Sequence, residues 1–205
     1  MNLEILILFV FTSIALTLAP GPDILFVFSQ SINQGFKSGF LVSLGLVSGL
    51  FFHTAFVSFG FGSIIYEFPF IFKLIKYMGA IYLISIVIKL ILNKRKNKNI
   101  EINKNTLLQN YTNGLIMNLV NPKVSLFFLS IFPLFLFDET LDIRTQFLFL
   151  GFIFIIQAIL IFSLVSLFSS YVGNKILSSK LNNFWVYFQS FILTLIAILL
   201  IFNNF

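Results

Sequence analysis

The stretch APGPDILFVFSQ, residues 19–30, lies inside a run of apolar residues, and so does NLVNPKVSLFFLS, residues 118–130. Each holds a helix breaker. In the first it is Pro20-Gly21-Pro22-Asp23, and in the second Asn121-Pro122-Lys123. Proline lacks a backbone donor and clashes with the turn before it. In lipid such a fault survives only where protein or a water-filled cavity satisfies the freed backbone groups. Two prolines bracketing a glycine go beyond a kink and predict local unwinding, with free carbonyls and amides.

The sequence around both breaks identifies the solvent as lipid. Of 205 residues, 59% are apolar and 10% charged, and mean hydropathy is +1.02. A soluble domain carries about 25% charge, so this chain cannot coat a water-facing globule. An ordinary cytosolic enzyme, a secreted disulfide scaffold and a disordered chain are excluded. With no cysteine and one histidine, thiolate and multi-histidine metal sites are excluded too. Six apolar segments run roughly over 3–30, 39–65, 70–92, 107–136, 146–168 and 183–202. Each reaches the about 20 residues that cross about 30 Å of hydrocarbon. None alternates as barrel strands do. The expectation is an all-α, polytopic membrane protein of six transmembrane helices, with helices 1 and 4 broken at their proline motifs. The first segment lacks a small-residue cleavage site and is expected to stay in the mature protein.

Net charge is +6. The basic residues fall between apolar segments, which reads as topology rather than as a nucleic-acid surface; no nucleic acid is expected as a partner. Lys94, Arg95, Lys96, Lys98 and Lys104 follow segment three, and the positive-inside rule places that loop in the cytoplasm. Alternation then puts Lys37, Lys175 and Lys180 inside as well. Glu67, Asp138, Glu139 and Asp142 face outside with Arg144, and both termini are predicted outside. Lys73 and Lys76, near the outer end of segment three, run against the bias and are read as snorkelling. Tyr66, Tyr111, Tyr171 and Trp185 fall at segment ends, as an aromatic belt requires. The basic loop also suits anionic lipid headgroups.

Pro22 and Pro122 are matched, and later segments correspond loosely. The chain divides into a repeat over about 1–92, a basic linker over 93–106 and a repeat over 107–205. Two repeats of three helices must have opposite orientations. That is the inverted-repeat plan of many secondary transporters, in which matched interruptions mark the substrate site. Asp23 and Lys123 directly follow the matched prolines, about 12–18 Å deep at 1.5 Å per residue. An ionised group at mid-membrane costs about 2.5–3.5 kcal/mol, and the chain accepts this at both breaks. Opposite signs at matched positions suggest one cavity. There the two could pair with each other, only locking the halves together, or hold the two charged ends of a zwitterion.

Gly45, Gly49 and His53 share one helix face, and small residues at that spacing allow a second backbone to approach. His53 reads equally as a hydrogen-bonded packing residue and as a proton carrier. Gln30, Asn33 and Gln34 suit either a cytoplasmic vestibule or a polar helix end. Asn118 is placed to satisfy backbone groups freed at the second break. Gln157 and Gln189 read as interhelical hydrogen bonds. There is no phosphate-binding loop, no HExxH and no nucleophile–base constellation. The chain is not expected to be an enzyme, and no cofactor is implied.

APGPDILFVFSQSINQGFKSGFLVSLGLVSGLFFH, from Ala19 to His53, resembles the N-terminal half of the LysE/RhtB family of amino-acid exporters. NGLIMNLVNPKVSLFFLSIFP, from Asn113 to Pro133, resembles that family's second hallmark. The resemblance implies export of amino acids or close derivatives across a bacterial inner membrane by proton antiport. Family substrates include threonine, homoserine and its lactone, and basic, branched or sulfur-containing amino acids. It carries over to Pro20, Gly21, Pro22 and Asp23 and to Asn121, Pro122 and Lys123, with Gly45 and Gly49 also matching. His53 and Gln30 are weaker candidates for the same site. The expected partners are the amino acid, protons and membrane lipid, and a homodimer rests on no motif. A passive small-solute channel and a non-transporting membrane subunit are the alternative readings.

Overall fold

Asn2 begins the first helix. In the computed structural model its Oδ1 accepts from the amides of Glu4 at 3.1 Å and Ile5 at 3.4 Å. These are donors that a helix start leaves without partners. The structure describes residues 2–19, 21–61, 69–92 and 105–176, and residues 187, 190–191, 193–195, 197–198 and 201–202 of the last segment. The basic loop Lys94–Lys104, Pro20, Lys180, Trp185 and Gln189 lie outside the described residues.

Seven helices can be followed among the described residues. Helix α1 spans Leu3–Leu18 and α2 spans Pro22–Gln34, with axes 57° apart. Helix α3 spans Phe36–Phe56 and widens into a π-type turn at Val57–Phe61. Helix α4 spans Pro69–Leu92. Helices α5, Leu107–Leu119, and α6, Pro122–Ser130, are separated by the second break. A turn of 3-10 helix, Phe132–Phe135, leads to α7, Ile143–Ile176. The described residues of the last segment are helical too. Both proline motifs end one helix and start the next. A residue before proline is pushed out of the helical region, while proline suits the first position of a helix, where Pro22 and Pro122 stand.

Two of the described helices are long and apolar enough to cross a membrane on their own, Phe36–Gly60 and Ile143–Tyr171, and α1 with α2 makes a third if the bent pair is one span. Helix α7 runs on to Ile176, so Lys175 stands in its last turn rather than in a loop. The turn between α2 and α3 is a single glycine, Gly35, with φ 82°. That left-handed region favours glycine.

Polarity is reversed relative to a water-soluble domain. Phe11, Phe51, Phe52, Phe56, Phe152 and Phe168 are exposed, whereas Asp23, Asn110, Asn118, Asn121 and Lys123 are buried. Lipid contact makes an apolar exterior favourable, and the interior keeps the polar groups away from lipid. Two packing devices hold the broken helices in place. Helices α3 and α5 interlock: a Cβ on Gly45 would overlap the Tyr111 carbonyl, and one on Gly114 would overlap that of Val42. Phenylalanines fix α6 from the other side. Phe127 meets Phe154 of α7 with ring centroids 5.2 Å apart, and Phe132 meets Phe9 of α1 at 5.3 Å in an edge-on contact, a preferred aromatic geometry.

Candidate functional site at the two helix breaks

The first break leaves Ala19 in an extended conformation, with φ −63° and ψ 118°. Its carbonyl has left the helical ladder. The donor it receives comes from the second break: Lys123 Nζ donates to Ala19 O at 2.6 Å. Both Lys123 and Ala19 are buried. An ammonium here is stable only with hydrogen bonds and a nearby negative charge, and the charge is Asp23.

Asp23 stands in the first turn of α2 and is buried. The positive end of a helix favours a carboxylate there. The side chain does not lie in a direct ion pair with Lys123: Oδ1 is buried without a hydrogen-bond partner among the described residues. The two groups meet over Gly21. A Cβ on Gly21 would sit 2.5 Å from Asp23 Oδ1 and 3.5 Å from Lys123 Nζ. Gly21 has φ −131°, an ordinary extended value, so space rather than conformation demands glycine here. Of the two pairings the sequence allows, the direct Asp23–Lys123 lock is therefore absent. Lysine is tied to backbone, and one carboxylate oxygen is left open.

The second break is built the same way. Asn121 Oδ1 accepts from the Lys123 amide at 3.0 Å and caps α6, while Asn121 Nδ2 is buried without a partner among the described residues. In an unbroken helix the carbonyl of Asn118 would receive the amide of residue 122, which is proline and has none. The Asn121 amide supplies one substitute at 3.1 Å. The other comes from α3, where His53 Nε2 lies 3.2 Å from Asn118 O. A carbonyl only accepts, so this contact places the ring proton on Nε2. Thus the Asn118 side chain does not serve the freed backbone, as its position suggests. Its oxygen packs against Gly49 without a partner among the described residues, and His53 does that work.

His53 is half-buried and borders a groove of about 350 Å³ with Phe52, Phe56, Val57, Ser125, Phe128 and Leu129. It touches the second break but is not among the groups around Gly21. Gln30 shares the Asp23 face of α2, two turns on, and is buried with Oε1 unpartnered among the described residues. Gln34, on the same face, accepts from Asn110 Nδ2 at 3.3 Å. Asn33 bonds its own helix at Ser29. One participant could not be read from the letters, and another was read as the interhelical hydrogen bond it makes. Ala19 acts through its carbonyl, which every residue has. Gln157 of α7 reaches Thr17 near the first break, with Nε2 2.9 Å from Oγ1. Its position, a lone polar residue in an apolar helix, was the available signal.

The family model described as LysE type translocator matches residues 14–204. A Vibrio cholerae protein named as an uncharacterized membrane protein is 27% identical over 190 residues, covering 89% of this chain and 91% of that protein. The leucine efflux proteins of Salmonella typhimurium and Salmonella typhi are each 29% identical over 126 residues, covering 60% of this chain and 59% of theirs. No solved structure matches the chain significantly.

Proposed function

The chain belongs to the LysE type translocator family, and we propose that it exports a neutral amino acid in exchange for protons. One observation carries this reading. Asp23 and Lys123 are the only charged side chains buried among the described residues, and both converge on Gly21. Together they offer one acceptor for an ammonium and one donor for a carboxylate. Ile24 and Val124, next in sequence to the two charged residues, are buried and apolar. The relatives named leucine efflux proteins support a substrate of leucine's kind.

In this reading the open Asp23 Oδ1 receives the substrate ammonium. The carboxylate lies toward Lys123 and the N-terminal ends of α2 and α6, whose amides and dipoles attract anions. A proton on Asp23 removes the charge that holds the ammonium. Substrate and proton then compete for one group, which is sufficient for exchange. We assign the chain six spans in two inverted three-helix repeats within a bacterial inner membrane, the basic loop in the cytoplasm and both termini outside. The matched placement of Pro22 and Pro122 at the starts of α2 and α6 supports the repeat.

The test uses purified protein in liposomes loaded with leucine. Efflux should saturate and should respond to an imposed pH gradient. Wild-type rates in both Asp23→Asn and Lys123→Ala would overturn the site, and indifference to the gradient would overturn the coupling. Ion conductance without saturation would identify a passive channel. Efflux only with a second protein would identify a subunit.

A further inference from the structure

Gln157 is buried in the middle of α7, and its two amide atoms have different fates. Nε2 donates to Thr17 Oγ1 at 2.9 Å, while Oε1 is buried with no partner. The Thr17 hydroxyl donates its one proton to Ser13 O at 2.8 Å, and its lone pairs accept from the NH2 of Gln157. Turning the amide over would force that hydroxyl to give up Ser13 O and would cost one hydrogen bond. The carbonyl oxygen is thereby held away from Thr17, where nothing among the described residues donates to it.

The height of this oxygen follows from two tethers. Thr17 lies in the last turn of α1, just before Ala19 and the first break. Lower down, the hydroxyl oxygens of Ser31 in α2 and Ser166 in α7 are 3.0 Å apart. Residue numbers rise together in the two contacts, so α7 runs in the same sense as the path from α1 into α2. Moving back along α2 and α7 by the same number of residues leads from Ser31 to Pro22 and from Ser166 to Gln157. The first tether puts Gln157 beside the last turn of α1 and the second puts it level with Pro22, so it stands at the height of the first break.

We infer that Gln157 is a substrate-binding residue whose Oε1 accepts a hydrogen bond from the substrate ammonium, as Asp23 Oδ1 does. A buried amide oxygen without a donor is destabilising, and an ammonium brings three N–H groups. Two fixed acceptors from different helices, α2 and α7, would select a primary ammonium and orient it. The inference rests on the transport reading above.

The experiment measures leucine efflux from liposomes carrying the full chain, with Gln157→Met, a close match in shape that cannot accept. KM should rise about tenfold or more, the usual effect of losing a hydrogen bond to a charged group, with little change in maximal rate. Competition by 4-methylpentanoate reports on structure alone, because it has leucine's carboxylate and side chain but no ammonium. Its inhibition constant should be the same in wild type and variant. An unchanged KM for leucine, or an equal weakening of both ligands, would show a mere tether and overturn the inference. Should the Met variant fail to assemble, Gln157→Asn keeps the amide but withdraws its oxygen by one methylene. It should raise KM for leucine without affecting the acid, and an unchanged KM there overturns the inference as well. Absence of efflux from wild-type liposomes would instead sink the transport reading, and the role of Gln157 with it.

Discussion

His53 of α3 caps the carbonyl of Asn118 at the end of α5, with Nε2 3.2 Å from the oxygen. A side chain thus replaces a backbone donor that Pro122 cannot supply. His53→Ala should lower stability by about 0.5–1.5 kcal/mol, the net worth of one hydrogen bond, because the Asn121 amide still reaches the same carbonyl. His53→Gln, which can still donate, should recover most of that. Melting of the detergent-solubilised protein measures both. The same pair separates the two roles the sequence leaves open. If His53 carries protons, the Gln variant should lose its response to a pH gradient. If it only caps, that response should be retained, and the geometry favours retention.

Gly45 and Gly114 face each other's backbones across α3 and α5. Alanine at either position must push the helices apart, which in a filled interior costs about 1–3 kcal/mol. The double variant Gly45→Ala/Gly114→Ala should lose less than the two single losses together, because one separation relieves both overlaps. Thermal melting of the three variants checks this, and strict additivity would contradict a shared contact.

Gly21→Ala tests the site without removing any charged group. The added methyl would fall on Asp23 Oδ1, so the carboxylate must move, again at about 1–3 kcal/mol. Efflux should drop about tenfold or more while the protein still assembles, as gel filtration and melting would show. Gly60 offers the control: a Cβ there meets nothing within 4 Å, and Gly60→Ala should transport like wild type.

Gln146, buried at the start of α7, binds the turn before it with both ends of its amide. Its Oε1 accepts from the Phe137 amide at 2.8 Å and the Asp138 amide at 3.1 Å, and its Nε2 donates to Asp138 O at 2.7 Å and Leu141 O at 2.9 Å. Gln146→Leu should cost about 2–4 kcal/mol, since several buried backbone groups lose partners together. Asp138 in this turn has its carboxyl pushed below the usual carboxylate range, first by the Thr140 hydroxyl at 2.6 Å. A depressed folded value means its contribution is complete above the ordinary carboxylate range and lost only in stronger acid. Thr140→Val should therefore leave efflux unaltered and lower the melting temperature most near neutral pH, with the gap to wild type closing in strong acid, as a pH series of melting curves would record.

The breaks were legible because proline and glycine act on the chain locally. The ends of α1 and α5 and the starts of α2 and α6 follow from Pro20, Pro22 and Pro122 almost to the residue. The convergence of Asp23 and Lys123 was legible from their sign and matched spacing. Their manner of meeting was not. A free carbonyl has no letter, so nothing in the sequence distinguishes Ala19 as the acceptor that holds Lys123. Gln157 and Asn118 show the same limit. Which amide atom is occupied depends on where the Thr17 proton goes and on what His53 reaches, and those are facts of three-dimensional packing. Lys175 was misplaced for a simpler reason: polar residues can continue a helix beyond the hydrocarbon, and apolarity marks the lipid boundary rather than the end of α7.

The bond from Lys123 to Ala19 also has a mechanical meaning. It ties the joint of one bent span to the joint of the other, so neither α2 nor α6 can swing alone without stretching a buried ammonium away from its oxygen. Motion that opens one side of the membrane must either carry the two joints as one rigid block or release this latch. A substrate carboxylate arriving beside Lys123 is a group able to take the carbonyl's place. Loading would then loosen the joints and the empty carrier would hold them shut, which is the behaviour that keeps an exporter from leaking.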